Sequence, residues 1–568
     1  MITKLLLIPL FSTTLLTAYS GLNIDEIKAT ELGFKSVEAY KAFNADKVEE
    51  LRILNCADYI YEPTADEIAE MDEDDPDRDN LTTQFEKYMA TTFGRNVSVI
   101  YDTYDTNENL HNDLKTGKSN YDIIMPSDYM IQKMISEDML EKLDKSIEMK
   151  NVEDNISPFV EGIFNDIVAT KKSVDEEGNE VISEESISDY ALPYMWGTVG
   201  ILYNPNHPKY KAVGLEKLKE DFKSYDALYM DEYQRTISIK DSVRDMFAIG
   251  VVHTEKHKEE IKSLQETLHE VINNPETSEE DYNKAVDSYQ ESITELFNRN
   301  DQETLDAVEE DLIELKNKSF GFEVDSGKND MLSGMLGGNL AWSGDAVFVI
   351  SDAREDDVDI YFSLPTENTI SNIWFDGMCI PKWADGKNQH IELAQQFMNF
   401  VYEPHIAALN SSWLGYTAGA AGQEMLECVQ ETYDVRYNEE TGEIDNSLLE
   451  DMVEGEDYVK YDIRYFFDGT VEDTDDAIIY ASLLDSESML QAQFPENDQL
   501  KYLAVMRDFG ERTKDVYDMW ERVKTSQIPP FIIIILAVEV SAAVALILYF
   551  TIDKALKKKL RKQRGKQR

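Results

Sequence analysis

Two short runs join a tryptophan to a carboxylate: Leu340-Ala341-Trp342-Ser343-Gly344-Asp345 and Ile373-Trp374-Phe375-Asp376-Gly377. A strand interior would bury the ring and expose the acid, or the reverse. Both together, with glycine next door, suggest strand ends that offer an aromatic face and a negative charge to one ligand. That combination suits an organic cation: the ring quadrupole attracts the positive charge and the carboxylate pairs with it. The alternative is two core tryptophans near unrelated surface acids, since tryptophan is mostly buried.

Other chemistries find little support. No P-loop, GxGxxG, GxSxG or kinase signature occurs. The histidines include no HExxH, and His253 and His257, at helical spacing in a charged stretch, read as surface residues. Cys56, Cys379 and Cys428 form no CxxC, so neither zinc nor a disulfide framework is implied and no cofactor is expected. An enzyme is therefore the weaker class. The net charge of −58 is unevenly spread: residues 551–568 carry nine Lys/Arg against Asp553, leaving −66 for the remainder. So acidic a body repels nucleic acid and concentrates cations around it.

The elements that must position these residues follow in order. Lys4, the apolar run Leu5 to Leu16 and Ala18-Tyr19-Ser20-Gly21 have the layout of a secretory signal, or of an uncleaved anchor, over 1–20. Residues 21–50 read as a helical leader. From Leu51, apolar strands alternate with helices: Leu51 to Asn55, a helix Leu81 to Thr92, a strand Val97 to Tyr101, a helix Asn107 to Leu114, and Tyr121 to Tyr129. That alternation predicts an α/β lobe with a largely parallel sheet, whose ligands gather at the carboxyl ends of strands. Asp58-Tyr59 and Ser127 to Tyr129 fall at such ends. After Pro193-Tyr194-Met195-Trp196-Gly197 the pattern restarts, predicting a second lobe, where Thr236 to Ile239 runs into a helix beginning near Asp241 to Asp245. Acids at a helix start also cap it, which is the plain alternative there.

Residues 254–298 hold two helical runs broken at Asn273-Asn274-Pro275, predicting an inserted antiparallel hairpin with a charged outer face. Phe531 to Ile552 is apolar apart from Glu539 and Ser541. At about 1.5 Å per residue it is long enough to span a bilayer. The basic tail 553–568 then places the C-terminus in the cytoplasm and the acidic body outside.

Seven motifs together resemble the spermidine/putrescine-binding proteins of ATP-driven importers, within the bacterial extracellular solute-binding family. They are Leu54-Asn55 with Asp58-Tyr59; Tyr101 to Glu108; Tyr121-Asp122-Ile123 with Pro126 to Tyr129; Leu192 to Gly197; Asp241 to Phe247; Trp342-Ser343-Gly344; and Trp374-Phe375-Asp376. The likeness covers about residues 51–525. It implies a two-lobed, periplasmic-binding-protein-like α/β fold that hinges shut on a polyamine. Lobe 1 would comprise 51–197 and 374–420, lobe 2 198–373 and 421–525. Carried over, Tyr59, Tyr129, Trp342 and Trp374 wall the methylene chain, Asp245 and Asp376 pair with ammonium groups, and Asp58 and Ser127 hydrogen-bond near one end, with Asp241 beside Asp245. The implied partners are ABC permease subunits with their ATPase, at a cell membrane that the chain crosses once. Cys56, Ala57, Ser242, Asp345 and Met506 depart from the family's pattern. The rival readings are a binding protein for an iron complex or a sugar, a hydrolase working through carboxylates such as Asp345 and Asp376, and an anchored structural protein acting through its hairpin.

Overall fold

The computed structural model describes residues 48–526 apart from 74, 118–119, 175–179 and 385. The expected signal or anchor over 1–20, nearly all of the leader, the membrane helix 531–552 and the basic tail lie outside the described residues. Among the described residues no helix is long and apolar enough to cross a membrane.

Strand β1 (Glu49–Cys56) buries Leu51, Ile53, Leu54 and Asn55, the near-continuous burial of a parallel strand covered on both faces. The chain crosses over through α1 (Leu81–Phe93). Asn80 caps its start by accepting from the Thr83 amide, and Gly94 at φ 63° ends it. Parallel pairing then joins β1 to β2 (Val97–Tyr104) and to β3 (Ile123–Ile124), with α2 (Asn107–Lys115) between them and α3 (Asp128–Ser136) after. Strand β4 (Ala191–Tyr203) is buried along its whole length.

The other half contains β5 (Ile237–Lys240), α4 (Val243–His253), α5 (Glu255–Ile272), α6 (Glu279–Phe297), α7 (Gln302–Lys318), β6 (Phe322–Glu323), β7 (Gly338–Trp342) and α8 (Ser343–Glu355). Strand β8 (Ser371–Cys379) returns to the first half, and α9 (Thr513–Thr525) ends the described chain. The sheet runs β2-β1-β3-β8-β4-β7-β5-β6. Its two halves share β4, which pairs antiparallel with β8 up to Thr198 and with β7 from Val199 onward. The flanks are parallel, as expected; the centre is antiparallel because β4 and β8 pass between the halves in opposite directions.

Among the described residues two apolar clusters form the core. One gathers Phe85, Ile131, Phe164, Trp196, Phe375 and Phe397 around β1, β3, β4 and β8. The other gathers Phe247, Ile293, Leu296, Val308 and Trp520 around α4 to α7 and α9. Residues Met425, Leu426, Tyr461, Phe466, Phe494 and Leu503 belong to the first cluster, and only Ala504 to Val523 to the second. The stretch 198–373 is shared in the same way, with Ala341, Val347, Ile350 and Phe362 in the first cluster and Phe247, Val308 and Leu312 in the second. Just before 421, Thr417–Ala418 pairs with Met195 and Trp196 on β4.

The hairpin α5–α6 forms as the periodicity predicts, closed by Ser278, whose hydroxyl accepts from the Asp281 amide. It is built into the core rather than standing off it. Ile261, Leu268, Tyr289, Ile293 and Leu296 are buried, and the Gln265 amide donates to the Thr366 and Thr369 carbonyls. His253 and His257 are not surface residues. His257 is buried with Nδ1 2.9 Å from the Val251 carbonyl, and the His253 ring stacks on Tyr229 beside Asp311. The turn from α4 into α5 tucks both rings under the neighbouring helices, which a charged local sequence conceals.

At the hairpin's foot, the Asn298 side chain accepts from the Arg507 amide (2.7 Å) and from the Arg244 guanidinium, and donates to the Val505 carbonyl (2.9 Å). Arg244 is buried. Asn298→Ala leaves buried polar groups unpaired, so it is expected to cost about 2–3 kcal/mol, read by urea unfolding.

Candidate functional site

Trp374 and Asp376 lie in the middle of β8, not at a strand end. A register shift brings the acid into play there: Asp376 pairs with Met195 and Gly377 with Pro193, skipping a residue of β4. A bulge of this kind bends the strand and re-aims a side chain. Ser127, the residue before α3, bridges to Asp376, and the Gly377 amide donates to the Pro126 carbonyl at 3.0 Å. Asp128 clamps the join, its carboxylate accepting from the Tyr129 and Phe375 amides. Burial pushes the Asp128 carboxyl up to about 8 against those two hydrogen bonds.

The Tyr59 hydroxyl donates to Asp376 Oδ2 at 2.9 Å, whereas Oδ1 is buried with no hydrogen-bond partner among the described residues. Burial pushes the Asp376 carboxyl up to about 6. The Ser127 and Tyr59 hydroxyls oppose that rise, and the charge of Asp245 adds to it. A carboxylate short of a donor, in a site of low polarity, is a receptor for a cationic hydrogen-bond donor.

Aromatic rings surround this acid. Tyr59 meets Tyr194 edge-on at 5.5 Å and Tyr416 at 5.3 Å, and Tyr416 meets Trp374 at 5.6 Å. The Trp374 indole donates to the Thr198 carbonyl at 3.3 Å. Two glycines make room: a Cβ on Gly197 would lie 2.7 Å from the Trp374 ring, and one on Gly344 2.2 Å from Tyr416.

From the other half come Trp342 and Asp245. Trp342 ends β7, at the strand end the sequence suggests, and α8 starts at the next residue. Asp245 is in the first turn of α4, where its amide donates to the Ser242 hydroxyl at 3.3 Å. Burial raises the Asp245 carboxyl, opposed by Ser242, by the charges of Lys240 and Arg244, and by the Trp342 indole. Asp245 bears electrostatically on both Asp376 and Tyr129 across the two halves. The Tyr129 hydroxyl reaches Glu108 at 3.4 Å, and so does Tyr517 of α9 at 3.2 Å.

The structure therefore brings together Tyr59, Ser127, Tyr129, Asp245, Trp342, Trp374 and Asp376. Asp58 stands apart, exposed at φ 51°. Asp241 pairs with Lys524 of α9 at 3.3 Å. Asp345, next to Trp342 in the sequence, is engaged within the chain by the Tyr416 hydroxyl (3.0 Å), Lys240 (3.4 Å) and Lys328 (3.5 Å). Sequence reasoning missed Tyr416, Tyr194 and Lys240. Tyr416 follows a glycine after a helical run and Lys240 ends an apolar strand, and neither context marks a site. Among the described residues no cluster of His, Cys, Asp and Glu could hold a metal ion.

Residues 83–423 match the bacterial extracellular solute-binding protein family. The chain is 28% identical over 325 residues to a putrescine-binding periplasmic protein of Pseudomonas aeruginosa, covering 57% of this chain and 71% of that one. It is 25% identical over 332 residues to a spermidine/putrescine-binding periplasmic protein of Salmonella typhimurium, covering 58% and 73%. A solved structure of a putative spermidine/putrescine ABC transporter from Listeria monocytogenes shares the fold: TM-score 0.51 and 22% identity, over 84% of this chain and 100% of that one. That family serves transport by binding solutes rather than by catalysis. With its match spanning more than half of the sequence, this chain belongs to the bacterial extracellular solute-binding proteins.

Proposed function

We propose that this protein captures a polyamine between the two halves of its sheet and delivers it to the permease and ATPase of an ABC importer. The buried Oδ1 of Asp376, without a hydrogen-bond partner among the described residues and set among Tyr59, Trp374 and Tyr416, carries the reading. An alkylammonium supplies both missing components, a charge-assisted donor for the carboxylate and methylenes for the rings. Asp245 takes the second ammonium, with Trp342 beside it and Tyr129 and Ser127 opposite. Lobe 1 (51–197 and 374–420) and the remainder hinge where β4 and β8 cross between the halves. Asp58 and Asp241, outside the packed group, act at the rim. The apolar run 531–552 anchors the protein as a single pass, with the binding region outside and the C-terminus in the cytoplasm. This placement rests on the sequence, and it agrees with relatives named as periplasmic.

Calorimetric titration of the full chain with putrescine and spermidine tests the reading. Binding is expected at pH 7.5 and weaker at pH 5. An ammonium pairs with the ionised carboxylate, and the free Asp376 carboxyl titrates at about 6. The apparent affinity therefore falls as pH drops through that value, by up to about tenfold per unit. No heat with either amine, alongside a thermal shift with a sugar or an iron complex, would sink the proposal.

A further inference from the structure

The cleft already contains an ammonium group of its own. Lys240, at the end of β5, is 1% exposed, and its Nζ lies 4.2 Å from the centre of the Trp342 ring. Glu323 holds it at 2.9 Å, Asp345 at 3.4 Å and the Val324 carbonyl at 3.2 Å. Burial would lower its pKa, but the charges of Asp345 and Glu323 outweigh burial and hold it above its ordinary value, so the group stays cationic.

The ring that would receive a cation thus has one face occupied by the chain itself. The acids around the cleft show the same division. Glu323 and Asp345 are neutralised by Lys240, with Lys328 also on Asp345, and Asp241 by Lys524. Arg244 is engaged by Asn298 and the Arg507 carbonyl. Asp245 and Asp376 are left without an ion pair to Lys or Arg among the described residues, as are Asp128, bonded to two backbone amides, and Glu108, bonded to the Tyr129 and Tyr517 hydroxyls. At the Trp342 end, where Glu323 and Asp345 are already paired, Asp245 can take one ammonium. A further ammonium at that end would have to displace Lys240 or sit without a counter-charge, which is costly.

We propose that Lys240 is a specificity-determining residue: by occupying Trp342 and neutralising Glu323 and Asp345, it makes the cleft accept a diammonium ligand in preference to a triammonium one. This rests on the polyamine reading above. Removing Lys240 frees the Trp342 face and uncovers Glu323 for a further ammonium, while Asp345 keeps Lys328.

The test is a calorimetric comparison of putrescine, a dication, with spermidine, a trication, on the full chain at pH 7.5. The wild type is expected to bind putrescine more tightly. Lys240→Met is expected to move the ratio of the two affinities toward spermidine by about tenfold, the scale of one desolvated cation–π contact with its ion pair. Because that variant leaves Glu323 buried without its lysine, Lys240→Met/Glu323→Gln is measured beside it and is expected to shift in the same direction. Glu323→Gln alone, which keeps Lys240, is expected to leave the ratio unchanged. A wild type that prefers spermidine, or a ratio unmoved in both lysine variants, would overturn the role of Lys240 while leaving the polyamine reading intact. A wild type that binds neither amine would overturn both.

Discussion

Asp376→Asn is expected to abolish measurable polyamine binding while making the unliganded protein more stable. The sign follows from the carboxyl's environment. In the fold it titrates at about 6, against an ordinary 3.8, because burial penalises the ionised form. The stability linked to this group is complete below about pH 3.8 and is lost as pH rises through 6. At pH 7.5 the ionised acid thus costs the empty fold on the order of 2–3 kcal/mol. Asparagine removes the charge and still offers an oxygen to the Tyr59 hydroxyl. Thermal unfolding at pH 7.5 should show the variant melting above the wild type, with the gap closing toward pH 4. Titration should show affinity reduced by at least about a hundredfold, the cost of a buried ammonium without its carboxylate. A variant that melts lower at pH 7.5, or binds as the wild type does, would contradict this account.

Gly344→Ala is expected to damage both the wall and the fold, although it adds one methyl group. Its Cβ would lie 2.2–2.3 Å from three carbons of the Tyr416 ring. The ring has little room to retreat: it packs on Tyr59 and Trp374, and its hydroxyl is bonded to Asp345. Overpacking of this kind costs about 1–3 kcal/mol. Displacing Tyr416 also disturbs the two rings beside Asp376, so ligand affinity should fall together with Tm. Tyr416→Phe separates the two effects. It keeps the ring, loses only the bond to Asp345, and should retain most of the affinity.

The alternating helices and strands were legible because their signals are local. Helix α1 with its Asn80 cap, the apolar β1 and the broken hairpin all declare themselves within a dozen residues. So did Trp374 with Asp376, since an acid inside an apolar run is unusual wherever it lies. That 198–373 and 421–525 each contribute to both clusters was not legible, because a short apolar helix carries no local mark of the surface it covers.

By itself the sequence determined the α/β fold class and the chemistry on offer: aromatic rings and several carboxylates, groups that suit a cation. Only the tertiary structure decided which carboxylates remain available. Asp345 and Asp376 look equivalent in sequence, each beside a tryptophan and a glycine. In the fold, Asp345 meets Lys240, Lys328 and Tyr416, whereas Asp376, at the bulge in β8, has one oxygen without a hydrogen-bond partner among the described residues. The reason is that a charge is neutralised by whatever lies within a few ångströms, and the neighbours here come from 17 to 317 residues away in the chain.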